Sequence, residues 1–524
     1  MAIGTSNKQR RFDDPAVLLG DRLAEGSLYR LLSDEGHRLF GDDYLADLYT
    51  TSKKGRPTVP ARVLATVMLL QSFEGLSDRE AIDRLGADLR WQAACGVAVG
   101  AEPFHPTVLV GARNRLRKSA RPNRLFEDSV ALAKVAGVIR TKVRVLDSTA
   151  LFDAVATQDT VTQLRASIRK LLGVISADLA TTIRSVLTRD DDYASSGKPP
   201  CDWDDRDARE ALVDALVVDA LAVLSVLEGH ELGDSASQAA ELLALVAGQD
   251  VAESDDGVFR IVRGVAKDRV ISTVDTDARH GHKSAHRRFD GYKTHLAVEP
   301  DSEIITAALA TQANAHDHDA VDELVAELLE EESDDDEHPM VVGDAAYGDG
   351  ATRAGLRAKG IEVMAKLAPV RNMTGGYSKD RFDVDVTAGT VTCPAGRSVA
   401  ISASRKGGGR ASFGTSCQGC PLASECTSSR RGRSITIHPH EDELTEARSA
   451  QKDPEWLERY RATRPMVERK IAHFTRRAWG GRKARCRGLQ RVMTDVKTRA
   501  GVLNLARLAV LGLARSAEGG WVTA

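Results

Sequence analysis

Three carboxylates stand where chemistry on a charged substrate could be done. Asp147 closes the β-branched run "TKVRVLD", Asp344 closes the apolar run "MVVGD", and Glu468 lies in the basic stretch "YRATRPMVERKIAHFTRRAW". The pattern predicts both aspartates at strand ends and the glutamate on a helix, so a mixed sheet can bring all three to one end. Three carboxylates in one place repel unless divalent cations neutralise them. Hard oxygen ligands select Mg²⁺ or Mn²⁺. Two such ions can clamp the attacking and leaving oxygens of an in-line phosphoryl displacement. The plainer alternative is that Asp344, beside Gly343, closes a turn, while Glu468 pairs with Arg464 one helical turn earlier.

A second group is Cys393, Cys417, Cys420 and Cys426, of which Cys417 and Cys420 have C-x₂-C spacing. Four thiolates can close a tetrahedral structural zinc site; reduced thiols are the alternative, because one pair alone is tightly spaced. Cys95, Cys201 and Cys486 are scattered, which argues against a disulfide framework. His280, His282 and His286 lie among arginines and lysines, a setting for phosphate contact more than metal ligation. His316 and His318 in "NAHDHD" can approach the catalytic carboxylates or take capping or supporting roles, and Tyr292 and Lys293 suit packing and DNA contact.

The elements that must position these residues belong to a chain of 524 residues, 42% hydrophobic and 28% charged, too long for one small core. No apolar run is long enough to span a membrane and the N-terminus lacks an apolar signal region, so a cytoplasmic, nucleoid-associated protein is expected. The net charge of −3 hides an asymmetry: fifteen acidic and no basic residues from Glu299 to Glu337, then sixteen Lys or Arg against Glu468 and Asp495 from Arg459 to Arg515. The basic stretch has the footprint of a polyanion partner, the alternative being a solvated helical face.

Along the chain, residues 1–140 read as a helical region, with a Ser77/Glu80 capping box after the "FEGL" turn and a helix-turn-helix grammar compatible with DNA contact. Residues 141–156 hold the first core strand, and 157–257 a helical insertion. Residues 258–372 carry strands at "VFRIVRG", "FDGYKTHLAVEP", "EIITAALAT", "MVVG" and "IEVMAKL", the second and third forming a hairpin through Pro300, Asp301 and Ser302. An acidic helix is predicted over 319–332. Residues 373–440 form the cysteine-rich insert, and 441–524 basic helices, the first capped by Asp453 and kinked or broken at Pro465. The fold class is α/β.

Five blocks in order over about residues 28–510 resemble bacterial insertion-sequence transposases of the DDE type, of the eleven-eighty-two group. "GRPTVPARVLATVMLLQSFEGLSDREA" and "FHPTVLVGARNRL" resemble an InsH-like N-terminal region. "VLDSTALFDAVATQDT", the words "GYK" and "AN.HD", "VVGDAAYGDG", and "YRATRPMVERKIAHF" resemble the catalytic core. The resemblance implies a ribonuclease H-like core with Asp147, Asp344 and Glu468 as catalytic ligands of two Mg²⁺ or Mn²⁺ ions, and a structural Zn²⁺ on the four cysteines. It implies cleavage at element ends and transfer of a 3′-OH strand into target DNA. The partners implied are the element's terminal inverted repeats, target DNA and a second copy of the chain as a homodimer on DNA. Backbone contacts are expected from Arg464, Arg469, Lys470, Arg476, Arg477, Arg482, Lys483, Arg485 and Arg487. The signature departs from the family's: Tyr460 lies one residue farther from Arg464, and no lysine follows at the usual place, where Arg476 or Arg477 can stand in. The alternatives are a nuclease of the same fold that never joins strands, and a former transposase kept as a DNA-binding protein.

Overall fold

The computed structural model describes residues 3–5, 13–50, 58–191, 193–284, 286–330, 338–372, 375–476 and 481–524. The N-terminal region is helical: α1 (Pro15–Leu19), α2 (Leu28–Leu39), α3 (Ala61–Glu74), α4 (Asp78–Ala87), α5 (Leu89–Cys95), α6 (Thr107–Lys118) and α7 (Arg124–Val135). Helix α3 is apolar on every side and buried from Ala61 to Ser72, so it forms the centre around which the others pack. The predicted capping box opens α4, the Ser77 hydroxyl accepting from Glu80 N–H and the Glu80 carboxylate accepting from Ser77 N–H.

The core sheet is built around β1 (Val143–Phe152). The chain then leaves for α8 (Thr160–Leu172), α9 (Ala177–Val186), α10 (Arg206–Leu227), α11 (Asp234–Gln249) and the hairpin β2 (Val251–Glu253) and β3 (Phe259–Ile261). These have their own core, including Leu164, Ile168, Leu216 and Leu243. The "VFRIVRG" run predicted as a core strand is β3, which pairs with β2 instead, because Phe259 packs into that separate core.

The sheet resumes with β4 (Arg279–Ser284), β5 (Arg287–Val298) and β6 (Ile305–Gln312), then β7 (Met340–Gly343), α14 (Gly350–Ala358) and β8 (Glu362–Ala365). In place of one long acidic helix the chain makes short turns, α12 (Val321–Leu324) and α13 (Glu327–Glu330); residues 331–332 of that expectation lie outside the described residues. The hairpin of β5 and β6 forms as predicted. Strand β1 is antiparallel to β5 from Val145 to Phe152 and parallel to β7 only from Val143 to Val145, while β8 runs parallel to β7. The sheet is therefore mixed, in the order β6, β5, β1, β7, β8, with β4 also on β5.

The cysteine segment forms a second, antiparallel sheet of β9 (Asp383–Asp385), β10 (Thr390–Thr392), β11 (Ser398–Ala403), β12 (Gly409–Ser412) and β13 (Ser434–Ile437), with the short α15 (Ala423–Cys426). The chain closes with α16 (Glu441–Ala450), α17 (Pro454–Phe474) and α18 (Leu489–Val510). Asp453 caps α17 as predicted, but the helix runs through Pro465 without a break. Met466, Val467 and Phe474 of α17 pack with Val145, Leu151 and Leu296 on one sheet face, while Leu324 and Leu356 cover Leu146, Ala297 and Val341 on the other.

Helix α18 is buried on nearly every side, between the sheet and the N-terminal helices. Gly501 lets it approach α7, since a Cβ there would lie 2.8 Å from Leu125 O. Asn504 joins both layers: its Oδ1 accepts from Ile305 N–H at 2.8 Å, and its amide donates to Ile305 O at 2.8 Å and to Ser129 Oγ at 3.1 Å. Asn504→Ala would leave both Ile305 groups buried without partners, at about 1–3 kcal/mol for each. A markedly earlier denaturant transition is expected, and a wild-type transition would show that Asn504 is not a structural tie.

Candidate active site

Parallel pairing between β1 and β7 ends at Val145 and Val342, and β1 then continues beside β5, meeting the 482–484 segment only at Phe152. Asp147 is thus not at a strand end, as the sequence suggested, but inside a longer strand just past the point where its β7 partner is lost. Open α/β sheets bind ligands where neighbouring strands diverge in this way. A cleft of about 470 Å³ opens there, lined among others by Asp147, Asp344, Glu468, Arg464, Lys293, Asp317 and Arg482.

Each carboxylate is held differently. Asp147 Oδ1 accepts from Ser148 N–H at 2.8 Å, and Oδ2 lies 3.0 Å from Arg464 Nη2. Arg464 also donates to Leu146 O at 3.3 Å, fixing α17 to β1. Asp344 follows β7 and closes the 3₁₀ turn Ala345–Tyr347, its Oδ1 accepting from Ala346 N–H at 2.9 Å. The turn is tight enough that a Cβ on Gly343 would lie 2.9 Å from Tyr347 Cβ. The Tyr460 hydroxyl donates to Gly343 O at 3.2 Å, and Trp456 stacks on its ring, so α17 also grips the end of β7. Glu468 stands on α17 four residues after Arg464 and is exposed.

Residues 261–505 match a family model described as the transposase DDE domain, and residues 19–115 match a transposase domain model, DUF772. The chain belongs to the insertion-sequence DDE transposases. It is accordingly an enzyme that cuts DNA and transfers strands. Asp344 and Glu468 fall inside the first matched span, and Asp147 precedes it, on the far side of the helical insertion. No curated protein and no solved structure matches the transposase chain.

The residues expected to touch DNA divide in two. Arg464 and Lys470 turn inward, 9% and 4% exposed in their side chains, Arg464 to Asp147 and Lys470 to Glu303 at 3.3 Å. Burial lowers the Lys470 ammonium, and the Glu303 carboxylate opposes that. Arg469 is exposed, 3.2 Å from Glu303. Arg476, Arg482, Lys483, Arg485 and Arg487 are exposed, and Arg477 lies outside the described residues. Arg482 reaches the cleft because its segment continues the edge of β1: Phe152 N–H donates to Arg482 O at 2.7 Å, and Ala484 N–H to Phe152 O at 2.8 Å. Arg485 donates to Leu76 O in the turn before α4, joining the basic segment to the N-terminal helices.

Of the histidines, His282 lines the cleft, His280 pairs with Asp290 at 2.7 Å, and His316 and His318 stack on each other. Tyr292 is buried and donates to Asp275 at 2.6 Å. Asp317, between the two histidines, carries no mark of its own in the sequence; in the fold it meets Lys293 at 2.8 Å inside the cleft. Among the described residues no three His, Cys, Asp or Glu side chains are gathered, as placed, closely enough to hold a metal ion.

Burial raises the Asp344 carboxyl above its ordinary value, and the nearby Asp147 adds to this against the opposing Ala346 N–H. A carboxyl that binds its proton more tightly folded than unfolded costs stability once ionised, above its raised folded pKa, and loses that cost as pH falls through it. Asp344→Asn keeps an oxygen for Ala346 N–H and removes the charge. The metal-free variant should melt at or above wild type at neutral pH, with the margin shrinking on acidification. A clearly lower melting temperature at neutral pH would contradict this electrostatic account.

Proposed function

We propose that this transposase has a ribonuclease H-like core, belongs to the eleven-eighty-two group, and uses Asp147, Asp344 and Glu468 to hold two Mg²⁺ or Mn²⁺ ions. The carrying observation is that two aspartates from diverging neighbours, β1 and β7, and a glutamate from the helix packed over them line one cleft with Arg482. The donor set fits a hard divalent cation: all three are carboxylates, and Arg464 offsets the charge of one. Bound there, the ions would acidify a nucleophilic water or 3′-OH and neutralise the leaving oxygen. The chain's own part is orientation. Ser148 N–H and Arg464 fix Asp147, Ala346 N–H and Tyr460 fix the Asp344 turn, and α17 carries Glu468 over both.

Arg469, Arg476, Arg482, Lys483, Arg485 and Arg487, with Arg477, hold the phosphate backbone of the element's inverted repeats and of target DNA, whereas Arg464 and Lys470 act through the fold. The N-terminal helices join them through the Arg485 contact, and two copies act together on the DNA within the nucleoid. With about −0.9 in log–log salt slope per neutralised phosphate, replacing both Arg482 and Lys483 by Ala should weaken binding to any sequence and flatten the slope by up to about two units. An unchanged slope would remove both residues from the backbone contact.

By donor type, the four cysteines of the second sheet suit a structural zinc, for which their thiolates would have to draw together. Cys393, Cys417, Cys420 and Cys426 line one small cavity, and the turns after Cys393 and Cys417 pass through Gly396 and Gly419 at φ 76° and 65°. Arg433 N–H points at Cys417 Sγ from 3.3 Å. Four thiolates supply the full tetrahedral set. Protein purified without added zinc should carry about one zinc per chain, and metal analysis well below that would exclude the site.

The decisive experiment supplies a labelled element end, target DNA and Mg²⁺. Joined products support transposition through the 3′-OH, whereas cut ends alone indicate a nuclease. Asp147→Asn, Asp344→Asn and Glu468→Gln should each abolish cleavage and keep DNA binding; retained cleavage removes that residue from the site.

A further inference from the structure

We infer that Lys293 and Asp317 form a positioning pair that orients Asp147 through Ser148 and thereby sets how tightly the cleft holds its divalent cations. This rests on the reading of Asp147 as a cation ligand. The chain of contacts is continuous. Lys293 Nζ lies 2.8 Å from Asp317 Oδ1 and donates to Ala315 O at 2.7 Å, Asp317 Oδ2 accepts from Ser148 Oγ at 2.7 Å, and Ser148 N–H donates to Asp147 Oδ1 at 2.8 Å.

Strand register explains how these groups meet. Lys293 of β5 lies opposite Ala150 of β1, and Ser148 opposite His295, so Lys293 and Ser148 share one sheet face while Asp147 points to the other. Asp317 comes from the 3₁₀ turn Asp317–Ala320 beyond β6 and closes over that face. The pair is largely buried, with side chains 15% and 14% exposed.

Electrostatics argues against a merely incidental contact. A fourth carboxylate beside three others adds repulsion unless its charge is cancelled. Lys293 cancels the charge of Asp317, so the pair adds a fixed hydrogen-bond acceptor without adding net negative charge. Groups that hold metal ligands from behind typically set affinity or activity by about 10–100-fold.

The test measures Mn²⁺ binding to the DNA-free protein by the electron paramagnetic resonance of free Mn²⁺, beside single-turnover cleavage and melting temperature. Asp317→Asn and Ser148→Ala should each raise half-saturating Mn²⁺ by about tenfold without lowering DNA affinity. Because they act on one chain of contacts, the double variant should shift no further than the larger single one. Lys293→Arg, which keeps the charge, should stay within about threefold of wild type. Should Asp317→Asn fail to fold, Ser148→Ala carries the test alone. Wild-type Mn²⁺ binding in these variants, with Asp147→Asn still impaired, overturns the pair's role and leaves the site assignment standing. Wild-type binding in Asp147→Asn overturns the assignment on which the inference rests.

Discussion

The constraint on which the rest depends is mutual repulsion among the carboxylates gathered where β1 and β7 part. Asp147 and Asp317 both oppose the ionised form of Asp344, so the acids face one cleft with countercharge built in. Arg464 provides it for Asp147 and Lys293 for Asp317. Arg464 must reach Asp147 from above the sheet, which obliges α17 to lie across β1. The same helix, through Tyr460, holds the end of β7. One helix thus sets the position of all three proposed ligands, two by contact and one by carrying it.

The charge asymmetry of the sequence is partly resolved inside the fold. Acidic residues from the 299–337 stretch pair with cations elsewhere: Glu303 with Arg469 and Lys470, Glu327 with Arg144 and Lys134, and Asp322 with Lys359. Removing either member of a buried pair strands the other's charge, which is costly. The exposed charge of the basic stretch is therefore smaller than its composition suggests, Arg464 and Lys470 being paired and buried. Among the described residues, the cations that stay exposed include the run Arg482, Lys483, Arg485 and Arg487, beside the cleft and against the turn before α4.

Features encoded by local pattern were legible in the sequence: the Ser77/Glu80 capping box, the Asp453 cap, the β5–β6 hairpin and the mixed sheet. Features decided by distant partners were not. Strand β1 runs past Leu146 because β5 pairs along it, and the polar residues Asp147, Ser148 and Thr149 hide that continuation from a hydrophobicity pattern. The "VFRIVRG" run alternates like a core strand but belongs to another core. Pro465 survives inside α17, whose following turns are anchored by Met466, Val467 and, at the helix end, Phe474. Arg464 and Lys470 read as DNA contacts because sequence gives charge without direction. Asp317 was hidden for the opposite reason, since nothing local marks one aspartate in "HDHD" as the partner of a lysine two strands earlier.

A long helical insertion directly after β1 would be expected to disturb Asp147, yet its neck is clasped. Gln158 N–H donates to Ile271 O at 2.8 Å, its side chain accepts from Thr273 N–H at 2.8 Å, and Gln163 donates to Val270 O at 2.8 Å. The chain leaving β1 and the chain returning towards β4 are thus tied to each other before either reaches the sheet. Closing a loop costs only slowly more as it lengthens, and here the loop folds on a core of its own, so the sheet feels two tethered ends. The far end of β1 is held independently by the Arg482–Ala484 segment. The insertion can therefore vary in its own packing while the distance from Asp147 to β7 and α17 stays fixed by β5, Arg464 and the basic segment.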